Sequence, residues 1–498
     1  MKYDLIVIGG GSGGLTSAAG AAGLGAKVAL IEKHKLGGDC LNTGCVPSKA
    51  LIRSAKIIGT MKDHQKYGIQ KCDYEVSFSN IMDRMRAIQA KIEPHDSPER
   101  FQGLGVDVKF GKYSFKNPHE LTDGKEVLVG KKIVISTGSS PVIPPIPGCK
   151  PEKCLTSDNI WNLRTLPKRF VVIGGGPIGS ELAQCFARFG AKVTILDMGK
   201  TILPREDEDL RNYVIESFKK DEITMIHEMK LTHVLHGETE HVVSYTDKEG
   251  ASHQIACDAI LVAAGRRANI DGLELQKAGV EATPRGIGVN AYLQTSASHI
   301  YACGDVAGSY QFTHFADAQA RLILRNALFP GKSKFEDRVV PWCTYTDPEL
   351  SRVGLSETEA KVKNISHDVT CYDLKDLDRA VCDSQDSGKV KVVTQKGKDK
   401  ILGAAIVGAH AGDILQEFVF AMNHGLGLKK ISQTIHPYPT LVEAPRRAAD
   451  TWLRSRLKPW MVKVLKVYFK IFFRSNQSSL SQAEIDALAN EAKHKTRS

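Results

Sequence analysis

Two cysteines, Cys40 and Cys45, lie in the glycine-rich segment Gly37–Lys49, at the start of a predicted helix. A helix N-terminus lowers the pKa of a nearby thiol, and the thiolate is the reactive form. The C-x4-C spacing is compatible with a redox-active disulfide, with two unrelated buried cysteines, or with half of a zinc site. A zinc site needs further paired ligands, and none has suitable spacing. The segment therefore favours a redox pair.

A glycine fingerprint precedes the cysteines. Gly9, Gly11 and Gly14 follow a short apolar run, and Glu32 comes 18 residues after the last of these glycines. In this spacing one glycine makes a tight turn, one lets the backbone approach a pyrophosphate, and one lets helix and strand pack. The helix N-terminus faces the phosphates, and the acid binds ribose hydroxyls. These residues predict a dinucleotide site.

The same fingerprint occurs again later in the chain. Gly174, Gly176 and Gly179 follow a second apolar run, and Asp197 comes 18 residues after the last glycine. An acid at this position repels a 2′-phosphate, so it favours NADH over NADPH. Basic residues just beyond Asp197 could soften that preference. The repeat predicts a second dinucleotide site.

Both fingerprints require the same elements to position them. Each has the order strand, glycine turn, helix and second strand, which opens a doubly wound parallel sheet. The sequence therefore predicts an α/β protein with two Rossmann-like dinucleotide-binding domains and a C-terminal α+β domain. Within these, residues 230–262 are expected to form a small sheet, and a helix is expected over Asp413–Met422.

Composition excludes several classes of protein. The chain has 498 residues and a formal net charge of +11, but residues 452–474 alone hold seven basic residues and no acidic one. Because the excess is local, nucleic-acid binding is not expected. The 11 cysteines are an odd number at irregular spacings, which indicates a reducing, cytoplasmic compartment rather than a secreted disulfide framework. No apolar run is long enough to span a membrane.

The basic segment has its own pattern. After Pro459, Lys463, Lys466, Lys470 and Arg474 fall on one narrow helical face, and apolar and aromatic residues cover the rest. This predicts peripheral membrane contact, on the inner face of the membrane, through an interfacial helix over residues 459–474. The alternative is a helix that docks on a dimer. Membrane contact would make a quinone a plausible electron acceptor.

The order of the motifs resembles the class I pyridine nucleotide-disulfide oxidoreductases, the group of lipoamide dehydrogenase, glutathione reductase and mercuric reductase. Besides the fingerprints and the cysteine pair, the resemblance rests on Thr137-Gly138, Ala264-Gly265-Arg266 and Ala302-Cys303-Gly304-Asp305. It implies a homodimer that binds FAD and NAD(P)H. The implied organisation is an FAD-binding domain in two parts (1–150 and 271–338), an NAD(P)-binding domain (151–270), a dimerisation domain (339–450) and a basic amphipathic extension (451–498).

The resemblance also implies roles for individual residues. Cys40 would be the exposed thiol that meets the acceptor, and Cys45 would lie against the flavin as the charge-transfer thiolate. Lys49 and Glu181 would pair beside the flavin and the nicotinamide. The implied FAD-binding residues are Gly9, Gly11, Gly14, Glu32, Lys49, Thr137, Gly138 and Asp305. The implied NAD-binding residues are Gly174, Gly176, Gly179, Asp197 and Gly265.

One departure from the family bears on the acceptor. In the disulfide-reducing members, the partner subunit supplies a histidine base, and a glutamate five residues further along the chain orients it. In this sequence the residue five positions before Glu443 is Tyr438, and the nearest histidine, His436, lies two residues too early. A tyrosine is a poor base at neutral pH. A tyrosine at this position resembles the pattern of mercuric reductase. It therefore favours a thiol-bound soft metal ion such as Hg(II) as the acceptor. The delivery cysteines near the C-terminus of mercuric reductases are absent.

Three alternatives remain open from the sequence. The protein could be a membrane-associated NADH:quinone-type reductase, or a dihydrolipoamide dehydrogenase in which His436 reaches the thiols. An alternative of another class is a membrane-tethered redox sensor. No structural metal is expected, because the histidines form no metal-like cluster and the remaining cysteines suit buried small residues better than ligands. Those cysteines are Cys72, Cys149, Cys154, Cys185, Cys257, Cys303, Cys343, Cys371 and Cys382.

Overall fold

The protein folds as two dinucleotide-binding units and a C-terminal α+β unit, which confirms the predicted fold class. The structure is a computed structural model that describes residues 2–308, 310–336 and 339–473, with Ala483 and Asp486. Most of the predicted extension beyond residue 473, including Arg474, lies outside the described residues.

The first unit is built on a largely parallel sheet in the order β3-β2-β1-β6-β5-β4. Its central strand is buried on both faces, because helices cover the sheet, and this explains its nearly continuous apolar sequence. The elements are β1 (Lys2–Ile8), α1 (Ser12–Gly23), β2 (Val28–Glu32), α2 (Gly38–Asn42), α3 (Cys45–Lys62), α4 (Phe78–Ile92), α5 (Pro98–Gly103), β3 (Val106–Phe110), β4 (Ser114–Asn117), β5 (Glu120–Thr122), β6 (Val127–Ile135) and β7 (Ser139–Pro141).

The second unit repeats the arrangement in a four-stranded parallel sheet, ordered β10-β9-β8-β14, beside an antiparallel sheet of β11, β12 and β13. The elements are β8 (Arg169–Ile173), α6 (Pro177–Phe189), β9 (Lys192–Leu196), α7 (Glu208–Lys220), β10 (Thr224–Ile226), β11 (Lys230–His236), β12 (His241–Thr246), β13 (Ser252–Cys257), β14 (Ala259–Val262) and β15 (Arg266–Ala268). The expected small sheet over residues 230–262 is therefore wrong for its last strand. β14 pairs with β8 in the parallel sheet, because its side chains are apolar and almost wholly buried.

The chain then returns to the first unit. β18 lies parallel to β6, and α8 packs against α1. β15 pairs with β7, so a two-stranded antiparallel ribbon joins the two dinucleotide units. The added elements are β16 (Ala282–Thr283), β17 (Gly286–Ile287), β18 (Ile300–Ala302) and α8 (Thr313–Leu328).

The C-terminal unit is a five-stranded antiparallel sheet, ordered β19-β20-β23-β22-β21, with helices on its face. Its elements are β19 (Pro341–Thr344), β20 (Glu349–Gly354), α9 (Glu357–Val362), β21 (His367–Asp373), α10 (Asp378–Cys382), β22 (Lys389–Gln395), β23 (Ile401–Gly408), α11 (Ala411–Ile414), α12 (Gln416–Asn423), α13 (Leu428–Ser432) and α14 (Glu443–Ser455). The single helix expected over Asp413–Met422 is instead two short helices that meet at Leu415, whose backbone stays near the helical region.

Buried ion pairs fix this unit to the second dinucleotide unit. The Lys391 Nζ atom lies 3.2 Å from Asp207, 2.9 Å from Asp209 and 2.5 Å from Glu357. A buried ammonium is tolerated only when it is paired, and here carboxylates from both units surround it. The network therefore holds the two units in one arrangement.

A last helix, α15 (Pro459–Phe472), follows a short break. Every side chain of α15 that the structure describes is exposed, including Trp460 at 58% and Phe472 at 67%. Much of its apolar face is therefore open to solvent in the described part of this chain. Within the described residues, no helix is long and apolar enough to cross a bilayer.

Candidate functional site

One cavity of about 1570 Å³ runs between the two dinucleotide units and ends at the cysteine pair. It exceeds a typical single-ligand pocket, so it offers space for more than one cofactor-sized molecule. The predicted site residues that line it are Gly9, Gly11, Glu32, Cys40, Cys45, Lys49, Thr137, Gly138, Gly174, Gly176, Glu181, Asp197, Gly265 and Asp305.

The glycines of both fingerprints divide into two kinds. A Cβ atom at Gly14 would overlap the carbonyl oxygen of Gly9, and one at Gly179 would overlap that of Gly174. These glycines let the helix pack closely on its strand. At Gly176 a Cβ would meet no atom within 4 Å, and this glycine lines the cavity, so here the backbone is open to a ligand. This division fits two pyrophosphate-binding turns.

The acid after each fingerprint also holds its own glycine turn. Glu32 accepts a hydrogen bond from the Gly10 N–H at 2.8 Å, and Asp197 accepts one from the Gly175 N–H at 2.5 Å. Each carboxylate binds a second backbone N–H two residues further along the chain, at 2.8 and 2.6 Å. Both acids line the cavity, where they can also accept hydrogen bonds from ribose hydroxyls.

The two thiols lie together, Cys40 in α2 and Cys45 at the start of α3. The hydrogen bond with Cys40, with smaller contributions from Thr313 and Lys49, lowers the pKa of Cys45 to about 6 against the effect of burial. The same hydrogen bond and burial raise the pKa of Cys40. Cys45 is exposed in the cavity and Cys40 is partly buried, so exposure does not single out Cys40. These opposite shifts favour one thiol and one thiolate in the reduced pair at neutral pH.

Thr313, at the start of α8, lies 268 residues from Cys45, and its Oγ1 atom is 3.3 Å from the Cys45 sulfur. A hydroxyl can donate a hydrogen bond to a thiolate, which stabilises the charged form. The sequence analysis did not identify Thr313, because no local pattern connects it to the cysteines.

Lys49 and Glu181 form the predicted ion pair, at 2.9 Å between Nζ and Oε2. Burial alone would lower the pKa of Lys49, but Glu181 and Cys45 offset this and raise it. The Tyr345 N–H donates to the other Glu181 oxygen at 2.9 Å, and the Lys49 ammonium lies 4.3 Å from the Tyr345 ring centre. The pair places a fixed positive charge beside the thiolate, and Tyr345 is a further residue that the sequence analysis missed.

Asp305 lies where the two dinucleotide units meet. It accepts a hydrogen bond from the Ser139 hydroxyl at 2.5 Å, and burial raises its pKa. Arg266 donates to the Ser139 hydroxyl at 2.7 Å and pairs with Asp39, the residue before Cys40. Arg266 thus connects β15 to the cysteine segment, a contact that its place in the family motif did not reveal.

The residues of the altered base motif lie outside the cavity of this chain. Tyr438 is 66% exposed and donates to Asp378 at 3.0 Å, and this hydrogen bond raises its pKa. Both ring nitrogens of His436 are engaged, one with Glu417 and one with a backbone carbonyl, each at 3.0 Å. Glu443 is buried, and its Oε2 atom has no hydrogen-bond partner among the described residues. This geometry favours a structural role for His436.

Two of the remaining cysteines lie beside each other and close to a histidine. The sulfur atoms of Cys149 and Cys154 lie 3.4 Å apart, and His236 Nε2 lies 4.0 Å from Cys154. Cys343 lines the cavity, and burial raises the pKa of its thiol well above the usual value. His236 comes from a distant stretch of chain, 82 residues from Cys154, so residue spacing could not predict its place beside the two cysteines.

Comparisons with known proteins agree with this geometry. The family described as pyridine nucleotide-disulphide oxidoreductase matches residues 3–320, and its dimerisation domain matches residues 340–449. The dihydrolipoyl dehydrogenase of Bacillus subtilis (strain 168) is 32% identical over 462 residues, which cover 90% of this chain and 97% of that protein. The mercuric reductase of Staphylococcus aureus is 31% identical over 452 residues, which cover 90% and 82%.

A solved structure is similar over the same length. The Cu(II) complex of the HOCl-induced flavoprotein disulfide reductase RclA from Escherichia coli has a TM-score of 0.81 and 29% identity, covering 90% of this chain and 99% of that one. The open glycine turns, the acid after each fingerprint and the partly buried Asp305 fit the FAD and NAD(P)H that such proteins use. The chain belongs to the pyridine nucleotide-disulphide oxidoreductase family, a family of NAD(P)H-dependent flavin disulfide oxidoreductases.

Proposed function

We propose that this enzyme passes two electrons from NADH to the Cys40–Cys45 disulfide and then to a thiol-bound soft metal ion, with Hg(II) as the first candidate. The observation that carries the proposal is a low-pKa thiolate at Cys45 in a chain that has Tyr438, not histidine, at the position of the partner-supplied base. Within one protomer, the Cys45 sulfur contacts the Thr313 hydroxyl.

The proposed residues bind, orient and hold charge. Bound FAD would supply the hydride-accepting ring, held by the first fingerprint, Thr137, Gly138 and Asp305. Lys49 would stabilise the Cys45 thiolate, and Glu181 would keep Lys49 in place beside the nicotinamide. Cys40 would carry the one proton of the reduced pair, because its pKa is raised while that of Cys45 is lowered.

The overall reaction balances without a protein base. NADH and the disulfide give NAD⁺, one thiol and one thiolate, so the hydride supplies both electrons and the single proton. Binding of Hg(II) displaces that proton to solvent. Transfer of two electrons to the metal ion then gives elemental mercury and restores the Cys40–Cys45 bond.

Reduction of an organic disulfide, in contrast, needs a group that moves a proton at sulfur. Tyr438 occupies the position of that base, and its hydrogen bond to Asp378 raises a pKa that is already too high for the task. Both ring nitrogens of His436 are engaged elsewhere. Among the relatives, the mercuric reductases and the Cu(II) complex of RclA support a metal ion, and the dihydrolipoyl dehydrogenases support lipoamide as the alternative.

The test is anaerobic NADH oxidation by the FAD-loaded protein with Hg(II) and excess thiol, Cu(II), a short-chain quinone, lipoamide or oxidised glutathione. We expect turnover with a metal ion that is lost in Cys40→Ser and retained in Tyr438→Phe. Turnover with lipoamide or glutathione alone would contradict the proposal. A gain of lipoamide activity in Tyr438→His, absent in Tyr438→Phe, would support the reasoning about the base.

The dimerisation-domain match suggests a homodimer. In that arrangement we propose that Tyr438 and Glu443 of one protomer face the cysteine cavity of its partner. The exposed side chain of Tyr438 supports this, because it is accessible to a partner protomer, with Glu443 buried behind it in the same protomer. We expect one dimer in solution by light scattering. In a mixed dimer, one protomer carries Cys40→Ser and the other carries Tyr438→His. Both changes should then fall in the same one of the two active sites, and the other site should be unaltered.

We further propose that α15 lies in the interface of an anionic bilayer. Its described apolar side chains are exposed, and Lys463, Lys466 and Lys470 add positive charge with no acid between residues 451 and 473. Each such lysine contributes about 1 kcal/mol near an anionic surface. Changing all three to Gln should therefore weaken binding to phosphatidylglycerol vesicles by about 3 kcal/mol, or about 100-fold.

Vesicle sedimentation tests this proposal. Phosphatidylcholine vesicles should bind the parent protein much more weakly than anionic vesicles, because they lack the negative surface. A control with the exposed residues Lys71, Lys248 and Lys363 changed to Gln has the same net charge and should bind like the parent. Equal binding by the two triple variants, or association of the protein with itself through α15, would exclude the membrane role. Oxidation of NADH by quinone only with vesicles present would make quinone the acceptor.

A further inference from the structure

A compact group of soft ligands lies in the second dinucleotide unit. Cys149 and Cys154 flank a short loop that leads into this unit, and His236 ends β11. The two sulfur atoms are 3.4 Å apart, the Cys154 sulfur is 4.0 Å from His236 Nε2, and all three ligand atoms lie within 4.8 Å of one another.

These side chains have little else to bind. Cys154 is 1% exposed, and among the described residues the two thiols make hydrogen-bonding contacts with each other and with His236. The Cys154 sulfur, at 4.0 Å, is the only hydrogen-bonding contact of the His236 Nε2 atom among the described residues. Buried polar groups are normally satisfied by closer partners, so this nitrogen is available to an ion.

We propose that Cys149, Cys154 and His236 bind a single thiophilic d10 metal ion. At metal–ligand distances of about 2.0–2.3 Å, ligand atoms around one ion are roughly 3.5–4.0 Å apart. The observed separations bracket this range, so an ion fits with small side-chain shifts. Two thiolates and an imidazole suit soft or borderline ions. Cu(I) accepts three ligands, whereas Zn(II) would need a fourth, such as a water molecule.

The site is separate from the electron-transfer cavity. None of its three ligands lines that cavity, although Pro144, Pro145 and Ile146 do, a few residues before Cys149. An ion here would join the loop between the two dinucleotide units to β11. The inference therefore does not depend on which acceptor the Cys40–Cys45 pair reduces.

The test uses the full-length, FAD-loaded protein with Cys40→Ser and Cys45→Ser changes, so that the redox pair does not bind the probe. Cu(I) under anaerobic conditions, and Zn(II) in parallel, are titrated against a chromophoric chelator. We expect one tightly bound ion per chain, and at least about a tenfold loss of affinity in Cys149→Ser, Cys154→Ser or His236→Gln. Cys72→Ser, a cysteine outside the group, is the matched control and should bind like its parent.

Thermal unfolding provides a second readout. The preferred ion should raise the Tm of the parent and of Cys72→Ser, with no rise in Cys154→Ser or His236→Gln. If Cys154→Ser fails to fold, His236→Gln and Cys149→Ser, at partly exposed positions, still decide the question. Unchanged affinity in these variants would overturn the proposal. A stable disulfide between Cys149 and Cys154 would also overturn it. Peptide maps of protein purified without reductant would show such a bond, and it would remain closed under conditions that reduce the Cys40–Cys45 pair.

Discussion

Replacement of Thr313 by Val should raise the pKa of Cys45. The Thr313 hydroxyl lies 3.3 Å from the Cys45 sulfur and is one of the groups that hold this pKa at about 6. A hydrogen bond to a charged group contributes about 1.5–3 kcal/mol, and we take the lower value because Cys45 is exposed. At about 1.4 kcal/mol per pKa unit, the pKa should rise to about 7.

The rate at which iodoacetamide alkylates Cys45, followed by peptide mass spectrometry across pH, measures this change. At pH 7 the thiolate fraction should fall from about 90% to about 50%. Thr313→Ser keeps the hydroxyl and is the control, so its profile should match the parent. Superimposed profiles for Thr313→Val and the parent would refute the reasoning, as would an equal shift in Thr313→Ser. Cys40, mapped in the same samples, should react only at higher pH.

Gly176→Ala should keep the parental Tm and weaken NADH binding. Gly179→Ala should lower the Tm, because its Cβ atom would overlap a backbone carbonyl. Thermal unfolding and NADH titration separate the two effects. Asp197→Asn should raise the NADPH to NADH ratio of kcat/KM about tenfold or more, because it removes a like charge; an unchanged ratio would contradict the role of Asp197. The Lys396 and Arg456 side chains lower the pKa of Asp368. Asp368→Asn should therefore reduce the free energy of unfolding at pH 7 by roughly 1–2 kcal/mol. This difference should vanish as the pH falls through the lowered pKa, because the stabilisation exists only above it; a pH-independent difference in urea unfolding would contradict the assignment.

Features that depend on short stretches of chain were predictable from the sequence. The two fingerprints, their acids and the cysteine segment each occupy fewer than about 30 residues, and their chemistry requires a fixed spacing. The Lys49–Glu181 pair was predictable only through the family resemblance, because 132 residues separate its members. Thr313, Tyr345 and Arg266 reach the site through packing of distant elements, which leaves no local pattern.

The errors in the predicted fold have the same origin. The strand Ala259–Val262 directly follows the antiparallel strands in the sequence, but it pairs at an edge of the buried parallel sheet. Likewise, Cys149 and Cys154 resemble isolated small residues until the antiparallel sheet brings His236 to them. In each case tertiary contacts, which residue spacing does not encode, decided the outcome.

The carboxylates of Glu32 and Asp197 bind the N–H groups of the turns that precede them. Each turn is therefore ordered before a nucleotide arrives, so binding does not have to supply the free energy of ordering it. If Asp197 sets the proposed preference for NADH, cofactor preference and turn order reside in the same side chain. A substitution of Asp197 that admits NADPH by removing the carboxylate would then also loosen the glycine turn. Such a change would need a second substitution that restores the lost backbone hydrogen bonds.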